Sequence, residues 1–177
     1  MSAYAEKESY GDLFKGKFCH ITPVLWVAWF TDVFVYYGLI FMVPYTIQQQ
    51  NHSDPSTKDP SSKADIIELY WGSLAEMPAF FVTWYLADHP MLGRRRSLIL
   101  SFSGTAVCMG LLLILGYDAL IWTTAVAKFF IGMAFILSYQ YTLEIYNTNN
   151  RVTGLGTCSA LGRIGGIMMP IISIFGT

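Results

Sequence analysis

Apolar residues along this chain come in long runs rather than in the short alternations of a strand. Five stretches, 23–47, 66–87, 97–116, 119–142 and 152–175, are dominated by Leu, Ile, Val, Phe, Trp, Met, Ala and Gly. Each is near or above the roughly 20 residues that a helix needs to cross about 30 Å of hydrocarbon. The pattern predicts an all-α membrane protein with five transmembrane helices. Polar sequence lies between them: an N-terminal segment, 1–22, and a connector, 48–65, rich in Ser, Asp and Pro that reads as a mobile external loop. The link between the third and fourth runs, at Gly116-Tyr117-Asp118, is so short that those two helices should form a tight antiparallel hairpin.

Composition agrees with this reading. Of 177 residues, 54% are hydrophobic and only 13% charged, and the mean hydropathy is +0.43, far from soluble averages. Residues 1–22 have no apolar core ahead of a small-residue cleavage site, so no cleaved signal peptide is expected and the first run should act as the insertion signal. The lipid bilayer is therefore the first partner. Nothing in the net charge of −1, or in any basic run outside the membrane, points to nucleic acid.

The placement of charge carries more than its sum. If the five helices alternate in direction, Lys7, Lys15, Lys17, Arg94, Arg95, Arg96 and Arg151 share one side, and Lys58 and Lys63 the other. Seven against two puts the N-terminus in the cytosol by the positive-inside rule. Asn51 heads an Asn-His-Ser sequon in the loop assigned to the opposite side, where glycosylation would occur. Cys19, Cys108 and Cys158 fall in different segments, which argues against a disulfide framework.

Four charged residues fall near the centres of the runs: Asp32, Glu76, Lys128 and Arg163, the tenth, eleventh, tenth and twelfth residues of runs one, two, four and five. All four lie near the midplane, where insertion scales charge about 2.5–3.5 kcal/mol for each. They should therefore pair with one another as structural ion pairs, or face a wet cavity that holds an ionic solute. The third run contains no charge and is the best candidate for a lipid-facing helix. Tyr36, Tyr37, Tyr139, Gln140 and Tyr141 add polar-tipped side chains at similar positions, and of these Tyr36, Tyr139 and Gln140 join the candidate binding set. Glycines at 154, 156, 162, 165 and 166 thin the fifth helix so that a neighbour can approach closely. His20, His52 and His89 are scattered through loops, and no nucleophile, metal or phosphate-loop arrangement is present. No catalytic residue, metal or cofactor is expected, and an enzyme is the least favoured reading.

Two loops make the class specific. "LADHPMLGRRRS" (86–97) follows the second run and "YTLEIYNTNNR" (141–151) follows the fourth. The first resembles the D-x-x-G-R-R loop of the major facilitator superfamily, and the second its P-E-x-x-P-T-x-x-R loop. With "DLFKGKF" (12–18), "SLAEMPAFFVTW" (73–84) and "GLGTCSALGRIGGIMMP" (154–170), the chain is most similar to the organic ion transporter branch and its synaptic-vesicle-two-related members. The likeness covers about residues 11–177. It departs from the pattern in three ways: Asp88 and Gly93 stand two residues further apart, Trp84 replaces a glycine, and Leu143 and Asn147 replace the two prolines.

The resemblance implies helices seven to eleven of a twelve-helix transporter, part of its second half. It implies a cytosolic gate made of Asp88, Gly93, Arg94, Arg95, Glu144 and Arg151, which latches the two halves in the outward-facing state. Arg96 reads as a topology determinant only. It also implies that Arg163 occupies a position that is basic in carriers of organic anions, and Lys128 a basic position on a neighbouring pathway helix. The expected function is alternating-access transport of a small organic ion, an anion by preference, with the missing transporter half or a full-length relative as partner. The competing reading is a non-transporting membrane protein that associates with a full-length relative. A plasma membrane or an intracellular vesicle would suit either.

Overall fold

The structure, a computed structural model, describes residues 13–14, 16, 18–53, 70, 73–74, 76–89, 93–115 and 120–175, with side chains described over all of these but 42–53, 115, 120–121 and 174. It is all-helical: α1 (Phe18–Ser53), α2 (Glu76–Ala87), α3 (Gly93–Leu115), α4 (Leu120–Ile145) and α5 (Arg151–Phe175). Four of these, α1, α3, α4 and α5, are long and apolar enough to cross a membrane. The described part of the second run is the 12-residue α2, preceded by helical residues at 70, 73 and 74; the rest of 66–75 lies outside the described residues.

The first helix is longer than the apolar run that predicts it. It begins five residues before Pro23 and continues six beyond Ile47, so 48–53 extend the helix instead of opening the loop. The reason is local: Gln48 to Ser53 contains neither Gly nor Pro, glutamine is a good helix former, and the first breaker is the Asp54-Pro55 pair. At 1.5 Å per residue, 36 residues reach about 54 Å, well past the hydrocarbon layer. Asn51 lies in this extension, and its side chain is outside the described set, as are Gly116-Tyr117-Asp118.

α4 is the hub, in contact with each of the other four helices. The most extensive contact is between α1 and α5, followed by that between α3 and α4. The glycines explain the first. A Cβ on Gly165 would stand 2.8 Å from the Phe30 carbonyl oxygen, and one on Gly162 would stand 2.9 Å from Val33 and 3.3 Å from the Trp29 carbonyl oxygen. The two backbones are thus in direct contact, as small residues allow in a membrane where no hydrophobic effect drives helices together.

The α3–α4 contact is built on small polar groups. Ser97, Ser101 and Thr105 form a buried stripe on α3, with Ser101 and Thr105 each donating to the carbonyl four residues back, at 2.8 and 2.9 Å. The opposite face of α3 carries Ile99, Val107, Leu113 and Ile114, all exposed, which suits the one charge-free run to lipid contact.

At the end of the bundle near the start of α1, the chain is hooked in place. Thr22 donates to the Leu13 carbonyl at 2.9 Å, and Tyr146, just past α4, donates to the Thr22 hydroxyl at 3.0 Å. Leu13, ahead of α1, is itself buried and belongs to the core. Burial pushes the Tyr146 phenol above its ordinary value, which keeps it a neutral donor. The Tyr146 ring also packs where a Cβ on Gly154 would sit, and so ties α4 to the start of α5.

Candidate functional site

Two cavities lie near the middle of the helices. The first, about 510 Å³, lies between α1, α4 and α5 and is lined by Trp29, Tyr36, Tyr37, Phe135, Tyr139, Ser159 and Arg163, among others. The second, about 500 Å³, lies between α1, α2 and α4 and is lined by Tyr36, Glu76, Phe80, Phe135, Tyr139 and Gln140 with smaller neighbours. Tyr36, Phe135 and Tyr139 belong to both. Tyr36 stacks on Phe135 at 6.1 Å between centroids, and Phe135 meets Tyr139 edge-on at 5.3 Å, so a continuous aromatic wall separates a cationic compartment from an acidic one.

Helical spacing produces this wall. Residues 29, 33 and 36 recur at intervals of four and three on α1, as do 132, 135 and 139 on α4, so each set shares one face. Trp29 is fixed by a hydrogen bond from Nε1 to the Thr142 hydroxyl at 3.0 Å, and Thr142 in turn donates to the Ser138 carbonyl at 2.6 Å. On α5, Pro170 and Gly166 both line the first cavity, and proline at 170 removes the N–H that would normally bond the Gly166 carbonyl.

The four charged residues near the centres of the runs end in four different settings. Arg163 is exposed and lines the first cavity. Glu76 lines the second and accepts a long hydrogen bond from the Tyr36 hydroxyl at 3.4 Å. Lys128 is buried and lines neither, although its charge acts on Glu76. Asp32 is wholly buried and also lines neither cavity. Among the described residues no ion pair joins any two of them.

The loop arginines behave differently. Arg94 forms ion pairs with Glu144 at the end of α4 and, at 3.9 Å, with Asp88 after α2. These are three of the six residues implied for the gate, drawn from both motif loops. Gly93 has φ of +60°, a conformation that glycine adopts without strain, and its N–H bonds the His89 carbonyl at 3.0 Å. The turn that results swings Arg94 back towards Asp88. Arg95 and Arg151 are exposed, without an ion pair among the described residues. Three arginines in the first turn of α3 oppose the positive end of its helix dipole, and the two acids around Arg94 offset part of that repulsion.

Several lining residues escape prediction from sequence. Trp29, Phe135 and Ser159 carry no signal beyond being aromatic or small in an apolar run, where most such residues contact lipid or core. The period-four and period-three spacing shared with Tyr36 and Tyr139 was the available clue.

This combination defines a class: a polytopic helical bundle with aromatic, ion-bearing cavities at mid-depth and an arginine-centred ion-pair cluster between loops at one end. No protein-family model matches the chain. It is 32% identical to the synaptic vesicle 2-related protein of Rattus norvegicus over 186 residues, which cover 98% of this chain and 34% of that protein. It is also 32% identical to organic cation/carnitine transporter 7 of Arabidopsis thaliana (86% of this chain, 31% of that one) and 30% identical to the niacin transporter NiaP of Acinetobacter baylyi (96% and 37%). The chain belongs to the major facilitator superfamily, in its organic ion transporter and synaptic-vesicle-two-related branch, and corresponds to part of the second half of that fold. It spans about a third of the length of these relatives.

Proposed function

We propose that this chain forms part of an alternating-access carrier for a small organic anion with an aromatic or otherwise flat apolar body. The observation that carries the reading is Arg163, exposed into a cavity whose wall includes Trp29, Tyr36, Tyr37, Phe135 and Tyr139. A guanidinium can hold a carboxylate through two parallel hydrogen bonds, and aromatic faces accept a flat apolar body. The relatives' names include both a cation/carnitine carrier and a niacin carrier, so the sign of the solute rests on Arg163 rather than on kinship. Glu76 and Gln140 shape the second compartment, and Lys128 holds the Glu76 charge in balance from behind it.

The cluster of Arg94, Asp88 and Glu144 supports a latch at the cytosolic end. Arg95, Arg151 and Gly93 complete it, the two arginines by meeting groups on the other half of a complete carrier. That half, or a full-length relative, would close the cavity over the exposed Arg163. The N-terminus is cytosolic in this reading, and Asn51 is on the far side and open to glycosylation. A cysteine placed at His89 should therefore resist an impermeant label added outside intact cells, and labelling there would overturn the orientation.

The direct test is uptake of radiolabelled benzoate, and of tetraethylammonium for comparison, by the full-length protein in proteoliposomes. Benzoate should be taken up and the cation should not. Arg163→Lys should weaken benzoate uptake because lysine lacks the planar fork, and Arg163→Ala should abolish it. Selective uptake of the cation, unchanged in Arg163→Ala, would show that this arginine serves packing only.

A further inference from the structure

Asp32 is the residue that the carrier reading leaves without a task. It is 0% exposed, and both of its carboxyl oxygens are buried without a hydrogen-bond partner. The hydroxyl of Ser138 faces it from α4, outside hydrogen-bonding geometry and itself buried and unpartnered. The titratable and charged groups on the helices around it are Tyr139 and Lys128 on α4, Arg163 and Cys158 on α5, and Glu76 on α2, which is reached through Tyr36. None of these makes an ion pair or a hydrogen bond with Asp32 among the described residues.

A carboxylate in this position would be a buried charge with neither counter-charge nor donor, among the costliest groups a fold can carry. The protonated acid is neutral, and it brings a donor of its own. A small rotation lets its O–H bond the Ser138 oxygen, which satisfies two orphaned groups at once. We propose that Asp32 is a proton-binding site, filled while α1 and α4 are in contact as here and emptied to water when they part.

The site lies where a solute can act on it. Trp29, Val33 and Tyr36 flank Asp32 on α1 and line the first cavity, as do Phe135 and Tyr139, which flank Ser138 on α4. An occupant that moves these side chains moves the same helix contact that encloses the carboxyl. Proton and solute then alter each other's affinity by the same factor, as linkage requires. This second step rests on the carrier reading; the proton site does not.

The test for the site needs no solute. Infrared difference spectra of this chain in lipid bilayers, titrated between about pH 5 and 9 to bracket the ordinary carboxyl and histidine ranges, should show the carbonyl stretch of a protonated acid that persists at neutrality. The band should be missing in Asp32→Asn and present in Glu76→Gln. No such band in the unsubstituted chain, or the same band in Asp32→Asn, overturns the proposal. Loss of the band when sodium replaces potassium at constant pH also overturns it, by making Asp32 a sodium ligand. Should Asp32→Asn fail to fold, Ser138→Ala decides: removal of the acceptor should shift the band, and an unmoved band refutes the site. For the linkage, benzoate uptake by the full-length protein should depend on pH, with the dependence flattened in Asp32→Asn. The infrared band without pH-dependent uptake leaves the proton site and removes the linkage, whereas absence of any uptake counts against the carrier reading alone.

Discussion

Charges at the Arg94 end of the bundle are paired, and ionisable groups further along the helices are not. Arg94 meets both Glu144 and Asp88 where water is close, whereas Asp32, Glu76, Lys128 and Arg163 make no ion pair with one another among the described residues. A fold built for stability alone would do the reverse. Exposed pairs contribute about 0–1 kcal/mol, while an unpaired charge in a low-dielectric interior is expensive. The wet pairs are thus cheap to break and suit a latch. The other four are kept apart, two of them buried and two lining cavities, which fits residues held for a ligand, a proton or each other's field.

Several substitutions would sharpen or break this contrast. The largest effect is expected for Gly165→Ala, because the added methyl meets the Phe30 carbonyl and forces α1 and α5 apart, so that the wall carrying Arg163 no longer aligns. Thermal stability of the detergent-solubilised protein should fall by at least about 2 kcal/mol, at the upper end of overpacking costs. An unchanged melting curve would mean that the helices are not in backbone contact. Next, Glu76→Gln and Lys128→Met should each destabilise, but the double variant should recover much of the loss. A coupling of about 1 kcal/mol or more in the cycle would mark two charges that act on one another. The cycle between Glu76 and Arg163, which line different cavities, should show less.

In the paired cluster, Arg94→Ala or Glu144→Gln should change stability by less than about 1 kcal/mol while, on the proposed carrier reading, slowing turnover of the full-length protein several-fold. Normal turnover in both would remove the latch. The smallest effect is expected for Arg95→Ala on stability, below about 0.5 kcal/mol, since this side chain is exposed without an ion pair among the described residues. A large loss there would show that the described cluster omits its main partner.

The helices were legible because hydrocarbon imposes one rule, about twenty apolar residues, that few side chains can evade. Their ends were less so. Residues 48–53 read as loop from their polarity, yet nothing in Gln48 to Ser53 stops a helix once it has started. The ion-pair cluster was readable because Asp88, Arg94 and Glu144 belong to recognisable loop motifs, and the structure joins them. The cavities were half readable: Arg163 and Glu76 stand out as charges, but Trp29 and Phe135 look like any other aromatic in a membrane helix until the packing assigns them a side. That Asp32 lines neither cavity was not legible at all. Depth in the membrane can be counted along a sequence, whereas rotation about the helix axis depends on which neighbours arrive.

The backbone contact between α1 and α5 has a mechanical meaning. Where Gly162, Gly165 and Gly166 lie against Trp29, Phe30 and Val33, little flexible side-chain padding separates the two rods, so they have little slack and tilt together. One end of this plate carries the hook of Leu13, Thr22 and Tyr146, and its middle carries Arg163. A solute drawn in by the arginine would therefore pull on a stiff lever rather than on a spring. A displacement of a fraction of an ångström near Arg163 would reach the hooked end of the bundle almost undamped.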